Sequence, residues 1–345
     1  MTTPQTLSAI IGQDEAIAHL TKLAAASRLP HAMLFVGPDS VGKFTTARLL
    51  AKGLLCHSPS APLEACGVCN ACRKFDSGNH ADLHVITTDQ RQIKIDAIRT
   101  AEQALRLRPV EGDVKLLLID DAHRANVQSQ NALLKTLEEP PSQTHIILTT
   151  SRFRNILPTV ISRCQRVPFR ALPVDVVVNV LASRHDLAAP QANLLASLAG
   201  GSLGRALDFE SDEILSLRDQ IAALDRALEP RSAPGALAAM SGAAALAEDK
   251  ARFGESILLL QVWLQDQMRL AADPEFDVAN ADRRDDLADL AARRGLRAIL
   301  DRLQAVNETR RQLEMPYNFN AQLLAEQLCL SLAGHSRVEV LDREY

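Results

Sequence analysis

The sequence predicts an α/β P-loop domain with a parallel sheet, followed by a small helical domain and a larger all-α domain. Short apolar segments alternate with helical segments as far as about residue 170, which is typical of a parallel sheet covered on both faces. A glycine-rich loop directly follows the first apolar segment, and the strand pattern disappears after Pro173. We therefore expect domains at residues 1–170, 171–211 and 212–345.

The predicted strands are short apolar runs with polar residues on either side, namely Met33–Val36, Leu83–Thr87, Lys115–Ile119 and His145–Thr149. The helices predicted between them cover Thr45–Leu55, Lys94–Leu107 and Val127–Glu139. The last of these helices begins after Asn126, a favourable capping residue, and must end at Pro140 because a residue before proline avoids the helical region.

Composition excludes some function classes. Aromatic residues make up only 3% of the chain, which argues against a protein that stacks bases on exposed rings. The net charge of -4 argues against a free-standing nucleic-acid binder. Met1–Leu7 lacks the pattern of a signal peptide, and no apolar run approaches the roughly 20 residues of a membrane helix. We expect a cytoplasmic protein, in which the six cysteines are reduced or bound to metal.

The glycine-rich loop has the pattern of a phosphate-binding loop between a strand and a helix. It consists of Gly37, Pro38, Asp39, Ser40, Val41, Gly42 and Lys43. In such a loop backbone N–H groups point at phosphates, the lysine neutralises the outer two, and the helix N-terminus adds partial positive charge. The sequence therefore predicts that the loop can bind ATP or ADP.

Phe44 departs from this pattern because it occupies the position where Ser or Thr coordinates magnesium. Thr45 has a hydroxyl, but it lies one position further along the helix, a rotation of about 100°. Its backbone N–H can still reach a phosphate. We expect weak or moderate nucleotide binding without the usual magnesium ligand, and intrinsic hydrolysis that is very slow or absent.

Two carboxylates, Asp120 and Asp121, end the apolar strand Lys115–Ile119. A phosphate-loop NTPase holds its magnesium at this point, so Asp120 is the predicted metal-side carboxylate. Asp121 stands where many such enzymes have a glutamate that polarises the attacking water, and it is one methylene shorter. A solvated strand end is the alternative interpretation of this pair.

Four cysteines, Cys56, Cys66, Cys69 and Cys72, have the spacing of a tetrahedral zinc site. Since all four positions would be filled by thiolates, the zinc would be structural and would hold an insertion after the first helix. His57 or His80 could replace one thiol, and an iron–sulfur cluster is the chemical alternative.

Three further motifs complete the pattern: Ile11–Gln13, Asn131–Pro141 (Asn-Ala-Leu-Leu-Lys-Thr-Leu-Glu-Glu-Pro-Pro) and Ser162–Cys164 (Ser-Arg-Cys). Together with the loop, the cysteines and the acidic strand, they resemble bacterial clamp-loader subunits of the AAA+ class. The resemblance covers residues 1 to about 210. Two subunit families of DNA polymerase III fit it, the motor subunit gamma/tau and the delta-prime subunit.

Three features resemble delta-prime more than gamma/tau. Phe44 interrupts a loop that is typically complete in the motor subunit. Gln92–Arg99 is similar to a delta-prime signature before the acidic strand, and Asn318–Asn320 with Leu323, Leu324 and Glu326 is similar to the last helix of its collar domain. A tau-like chain would also be expected to continue past residue 345.

The resemblance implies roles for particular residues. Arg163 would be an arginine finger that points into the nucleotide site of a neighbouring subunit, and Arg205 would be the second sensor. Thr149 and Thr150 stand near the first-sensor position. Residues 171–211 would form a helical lid, and residues 212–345 a collar that holds a pentamer together.

The implied function is that of a subunit of the DNA polymerase III holoenzyme with no polymerase activity of its own. It would act with gamma/tau and delta subunits to load the ring-shaped sliding clamp (beta) onto primed DNA. The alternative is an ATP-hydrolysing gamma/tau-type motor subunit or another AAA+ ATPase. A zinc-ribbon DNA binder unrelated to clamp loading is a third hypothesis, against which the net charge argues.

Overall fold

The computed structural model describes residues 5–87, 92–185, 187–209, 211–228, 233–248, 250–314 and 320–334. The chain divides into two compact units, of which one contains Met1–Pro173 with Gly201–Arg205 and the other Val174–Gly200 with Ala206–Tyr345. The finer division into three domains stays a prediction. Asn318 and Phe319, which contribute to the resemblance at the end of the chain, lie outside the described residues.

The first unit contains a sheet of five strands, β1 (Ala32–Val36), β2 (Leu83–Ile86), β3 (Lys115–Ile119), β4 (Thr144–Thr150) and β5 (Gln165–Pro168). Their order is β2-β3-β4-β1-β5, and every neighbouring pair is parallel. The predicted parallel sheet is confirmed, and so are its four predicted strands. The fifth strand, β5, was not predicted because only Val167 in it is buried.

Apolar side chains cover both faces of this sheet. Met33 and Phe35 belong to one buried cluster, whereas Leu34, one position between them, belongs to another. This alternation follows from the two-residue period of a strand, which sends successive side chains to opposite faces. The helices of this unit are α1 (Asp14–Ala25), α2 (Lys43–Leu55), α3 (Asn70–Asp76), α4 (Ile95–Leu105), α5 (Val127–Glu138) and α6 (Pro158–Ile161).

Helix α5 begins and ends as its sequence predicts. The side chain of Asn126 accepts a hydrogen bond of 2.8 Å from the backbone N–H of Ser129, which satisfies one of the donors that a helix start leaves unpaired. The helix ends at Glu138, two residues before Pro140. Both ends of α5 are therefore fixed locally.

The helices after the sheet are α7 (Val174–His185), α8 (Ala189–Ala199), α9 (Leu203–Asp208), α10 (Ser211–Ala227), α11 (Ala233–Glu248), α12 (Lys250–Ala272), α13 (Arg284–Glu314) and α14 (Ala321–Leu332). Helix α13 is interrupted at Gly295, whose φ is 74°. The predicted helical character of this part of the chain is confirmed. None of the described helices combines the length and the apolar composition needed to cross a membrane.

The second unit has a buried carboxylate at its centre. Asp225 is fully buried and accepts a hydrogen bond of 3.0 Å from Trp263 Nε1. It also forms ion pairs with Arg294 at 2.7 Å and with Arg302. Burial opposes its ionisation, but these two arginines hold the pKa of Asp225 below its ordinary value. The network joins α10, α12 and α13 through groups that are costly to leave unpaired.

Candidate nucleotide site, arginine corner and metal centre

The glycine-rich loop connects β1 to α2, as the sequence predicts. At Gly37 a Cβ atom would lie 2.4 Å from the backbone oxygen of Phe169, so no side chain fits between the loop and the end of β5. Gly42 precedes α2 with a φ of 96°, a conformation that glycine adopts without strain. The two glycines are therefore required by the close packing and the backbone conformation of the loop, whether or not a phosphate is bound.

Lys43 is turned back onto the loop that it belongs to. Its Nζ donates a hydrogen bond of 2.9 Å to Gly37 O and another to Pro38 O. Burial lowers the pKa of Lys43, while the carboxylates of Asp39, Asp121 and Asp120 oppose that shift. To reach a phosphate, the ammonium group must exchange these carbonyl partners.

Phe44 is half-buried and packs against the apolar cluster on one face of the sheet. The ring thus packs against the core and offers no ligand to a metal. The hydroxyl of Thr46 donates to Gly42 O, the backbone carbonyl just before α2, at 2.8 Å. Neither side chain supplies the oxygen that a complete phosphate loop places near magnesium.

Asp120 and Asp121 lie at the end of β3 and contact Thr149 of β4. Thr149 Oγ1 donates to Asp120 Oδ1 at 2.6 Å and accepts from the backbone N–H of Asp121 at 3.0 Å. Burial raises the pKa of Asp120, although the Thr149 hydroxyl favours the charged form. The structure thus brings Lys43, Asp120 and Thr149 into one cluster; the first-sensor role of Thr149 stays a prediction.

The carboxylate of Asp121 is engaged by residues that follow it. Asp121 Oδ2 lies 3.2 Å from Arg124 Nε, and Oδ1 lies 3.8 Å from His123 Nδ1. Burial lowers the pKa of His123, and Asp121 opposes the shift. Because Oδ2 of this shorter carboxylate already pairs with Arg124, Asp121 is less available to polarise a water molecule in the described arrangement. Sequence reasoning missed both partners.

Two further residues hold the loop from outside. Gln13 Nε2 donates to Arg170 O at 2.8 Å and to Val41 O at 3.4 Å, which joins the loop to the segment after β5. The backbone N–H of Gly204 donates to Ser40 O at 3.2 Å, and this brings Arg205, the next residue, close to the loop. The position agrees with the sensor prediction for Arg205, whose role stays a prediction.

Arg163 lies between α6 and β5, at an edge of the first unit. Its Nη1 donates to Thr159 O at 2.9 Å and to Ser162 Oγ at 3.2 Å. Its Nη2 pairs with Glu138, the last residue of α5. The side chain is 34% exposed, whereas the Nε atom is buried without a hydrogen-bond partner. Thr159 O, Ser162 Oγ and Glu138 therefore all bind the guanidinium group, which still has N–H donors without a partner.

Gln130 connects α5 to the segment that carries Arg163. Its Nε2 donates to Ala125 O at 2.9 Å and to Asn155 O at 3.0 Å, and its Oε1 accepts from Leu157 N at 2.8 Å. A buried amide with all these bonds fixes the backbone before α6. Sequence reasoning missed Gln130 because a glutamine inside a helix gives no signal of distant partners.

The four predicted cysteines come together. Their sulfur atoms all lie within 4.8 Å of one another, with Cys56 and Cys69 at 3.9 Å and Cys66 and Cys72 at 4.0 Å. Tetrahedral zinc with bonds of about 2.3 Å requires sulfur separations of about 3.8 Å. The donor set and its spacing therefore fit a closed, four-coordinate metal site. Neither His57 nor His80 belongs to this group of described residues.

Backbone N–H groups favour thiolates in this cluster. The N–H of Cys69 lies 3.4 Å from Cys66 Sγ, and the N–H of Cys72 lies 3.4 Å from Cys69 Sγ. Burial opposes ionisation of Cys69, but the N–H groups of Cys72 and His57 and the neighbouring thiols lower its pKa to about 6. Burial raises the pKa of Cys72. At least one thiol thus ionises readily, as a metal ligand must.

Comparison with known proteins assigns the class to which these features belong. A family model described as DNA polymerase III, delta subunit, matches residues 12–173, and a model of the C-terminal part of that subunit matches residues 219–333. A DNA polymerase III gamma subunit-related protein from Thermotoga maritima covers 92% of this chain and 99% of its own, at 17% identity and a TM-score of 0.37.

Two curated relatives are similar in different ways. The tau subunit of Escherichia coli is 36% identical over 63% of this chain and 34% of its own length, so the chain spans about a third of it. The delta-prime subunit of Bacillus subtilis is 29% identical over 88% of this chain and 91% of its own. The chain belongs to the delta-prime family of DNA polymerase III clamp-loader subunits, which is related to gamma/tau.

Proposed function

We propose that this chain is a largely non-hydrolysing subunit of a clamp loader and lends Arg163 to the nucleotide site of a neighbouring subunit. Its partners would be gamma/tau-type and delta-type subunits in a pentamer. The assembly would load a ring-shaped sliding clamp onto primed DNA. Zinc at the four thiols would have a structural role.

The observation that carries the proposal is the position of Phe44. Its ring packs in the core where a complete loop has a magnesium-binding hydroxyl. Lys43 contacts its own loop carbonyls and Asp121 contacts Arg124, and both contacts also disfavour hydrolysis. A triphosphate could still bind, with ATP or ADP held by the loop, but the groups needed to cleave it are missing or engaged.

Arg163 has the properties that such a donated residue needs. A guanidinium offers planar donors that match phosphate oxygens and always carries its charge. Arg163 lies at an edge and is partly exposed, and Gln130 fixes the backbone before it. An arginine supplied from a neighbour stabilises charge on the transferred phosphoryl group and raises the rate by about 10³–10⁵-fold.

The test is ATP hydrolysis by a reconstituted clamp loader that contains Arg163→Ala in this chain. We expect the subunits to assemble, while turnover at the neighbouring site falls about 10³-fold and the rate stimulated by clamp and DNA drops. Lys43→Ala should leave the stimulated rate nearly unchanged. Arg166→Ala, a nearby arginine that lies over the ring of Phe153, is the matched control.

Three results would contradict the proposal. Unchanged stimulated hydrolysis with Arg163→Ala would remove the role of the arginine. Turnover by the purified chain at the rate of the assembled loader, lost in Lys43→Ala, would instead identify an ATPase of the gamma/tau type. Tight DNA binding by the isolated chain at physiological salt would favour the zinc-ribbon alternative.

A further inference from the structure

Glu138 and Arg163 form an ion pair that joins the end of α5 to the second residue after α6. The pair uses the same guanidinium that we propose for the neighbouring nucleotide site. Arg163 has five N–H donors, and Thr159 O, Ser162 Oγ and Glu138 occupy three of them. A triphosphate in a neighbouring subunit must therefore compete with groups of this chain.

The pose of Arg163 is not one that the fold stabilises strongly. The Nε atom is buried and has no hydrogen-bond partner, and an unpartnered buried donor is unfavourable. Glu138 is 49% exposed in its side chain, so solvent screens the ion pair and limits its strength. The two hydrogen bonds of Nη1 to Thr159 O and Ser162 Oγ hold the side chain, but the unpartnered Nε and the screened ion pair both lower the cost of releasing it.

We infer that Glu138 stows Arg163 against its own chain until a neighbouring triphosphate displaces it. This inference rests on the proposed function of Arg163. The Glu138 carboxylate opposes engagement of Arg163 with the neighbouring site in two ways. It competes for the guanidinium, and its negative charge lies beside the place to which the phosphates must come. Glu138 therefore raises the barrier to finger engagement in the loader that has not yet met clamp and DNA.

The test compares Glu138→Gln with the unaltered chain in the reconstituted loader. The substitution keeps the length of the side chain and removes its charge. We expect hydrolysis without clamp and DNA to rise about two- to five-fold, the range of an exposed ion pair. The loader should also bind a non-hydrolysable ATP analogue more tightly by a similar factor. Stimulated hydrolysis should change less, because clamp and DNA then already favour engagement of Arg163 with the neighbouring site and the competition from Glu138 matters less.

Glu139→Gln is the matched control, since it removes the same charge one residue away. Glu139 is exposed and forms no ion pair in the described part of the chain, so both readouts should stay at the level of the unaltered loader. In the Arg163→Ala background Glu138→Gln should have no effect, because the carboxylate acts only through the arginine.

The outcomes separate the two proposals. If Arg163→Ala leaves stimulated hydrolysis unchanged, the finger and its stowing are both wrong. If Arg163→Ala lowers it while Glu138→Gln leaves unstimulated hydrolysis and analogue binding unchanged, or lowers either, only the stowing is wrong. An equal gain with Glu139→Gln would attribute the effect to general surface charge and would also overturn the inference.

Discussion

The phosphate loop and the arginine corner, by which we mean Arg163 with its partners Glu138, Thr159 and Ser162, lie in the same compact unit. The two regions use their charged groups in opposite ways. At the loop, Lys43 bonds to its own loop carbonyls and Phe44 lies in the core. At the corner, Arg163 is partly exposed, bonds to groups at the edge of the unit and retains an unused donor. The charged and aromatic side chains of the loop are held by contacts inside the unit, whereas Arg163 is placed where it could exchange its partners.

The contacts that hold the loop give its motif a structural role as well. Gln13 joins the loop at Val41 to Arg170, and Gly204 bonds to Ser40. These bonds connect the start of the first unit, the end of its sheet and the segment around residue 204. A loop that serves as a junction of this kind has a structural role that does not depend on phosphate.

The largest expected effect comes from the four thiols, and it tests whether the two regions are held independently. Cys72→Ser would remove one ligand from the proposed zinc site, and a structural zinc contributes directly to folding. We expect loss of bound zinc and of several kcal/mol of local stability in residues 56–76. Lys52 pairs with Asp76 at 2.7 Å, so the loss should extend into the end of α2. Hydrogen exchange should report it.

Hydrogen exchange in the same variant also reports on a region away from the cysteines. Helix α5 and the segment around Arg163 have no ligand in the cluster, so their protection should survive. Cys164→Ala is the control, since Cys164 is buried far from the four thiols in sequence and should leave one zinc per chain. Equal loss of protection at α5 would show that the phosphate loop and the corner depend on one common support.

Local signals explain what the sequence predicts correctly. The apolar runs identify four strands, Asn126 identifies a helix start, and the cysteine spacing identifies the metal cluster, because each depends on residues close in sequence. Strand β5 escaped prediction because its exposed residues Gln165, Arg166 and Pro168 leave Val167 as its one buried side chain.

The residues that position the candidate sites are of a different kind. Gln13 and Arg170 are 157 positions apart, and Gln130 and Leu157 are 27 apart. Glu138 meets Arg163 only because α5 and α6 pack together. A polar residue in a helix or at its end gives no indication of such partners, since they are brought together by tertiary packing.

A medium effect is expected from Phe44→Thr, which restores the missing hydroxyl and removes a core ring. Because Phe44 is half-buried, we expect the free energy of unfolding to fall by about 1–3 kcal/mol. Nucleotide affinity with magnesium should rise, but turnover by the isolated chain should stay very slow because Asp121 is engaged by Arg124. Denaturant unfolding and ATP hydrolysis by the purified chain measure the two effects.

Phe44→Thr directly tests the contrast between the phosphate loop and the arginine corner. If one hydroxyl gives turnover at the rate of an assembled loader, the loop is a functional site that lacks a single ligand, and its other contacts are irrelevant. Phe75→Leu, at another ring packed in the same apolar cluster, is the control for the loss of stability. It should lower the unfolding free energy without changing nucleotide affinity.

The smallest expected effect concerns Asp120. Burial raises its folded pKa above the ordinary 3.8, so the folded state binds more protons than the unfolded state across that window. Its contribution to stability therefore falls as pH rises from about 3.8 to the raised value, and the ionised carboxylate is unfavourable at pH 7. Asp120→Asn keeps an oxygen to accept from Thr149 and should raise the unfolding free energy by no more than about 1 kcal/mol at pH 7.

The gain from Asp120→Asn should disappear below pH 3.8, where both states of the unaltered chain are protonated. Asp113→Asn, on an exposed loop, should give no such pH-dependent gain. Chemical denaturation at several pH values measures both. A destabilising effect of Asp120→Asn at pH 7 would mean that Lys43 and Thr149 stabilise the charged carboxylate more than burial opposes it. The charged carboxylate would then have a structural role of its own at the end of the strand, and need not be explained as part of a metal site.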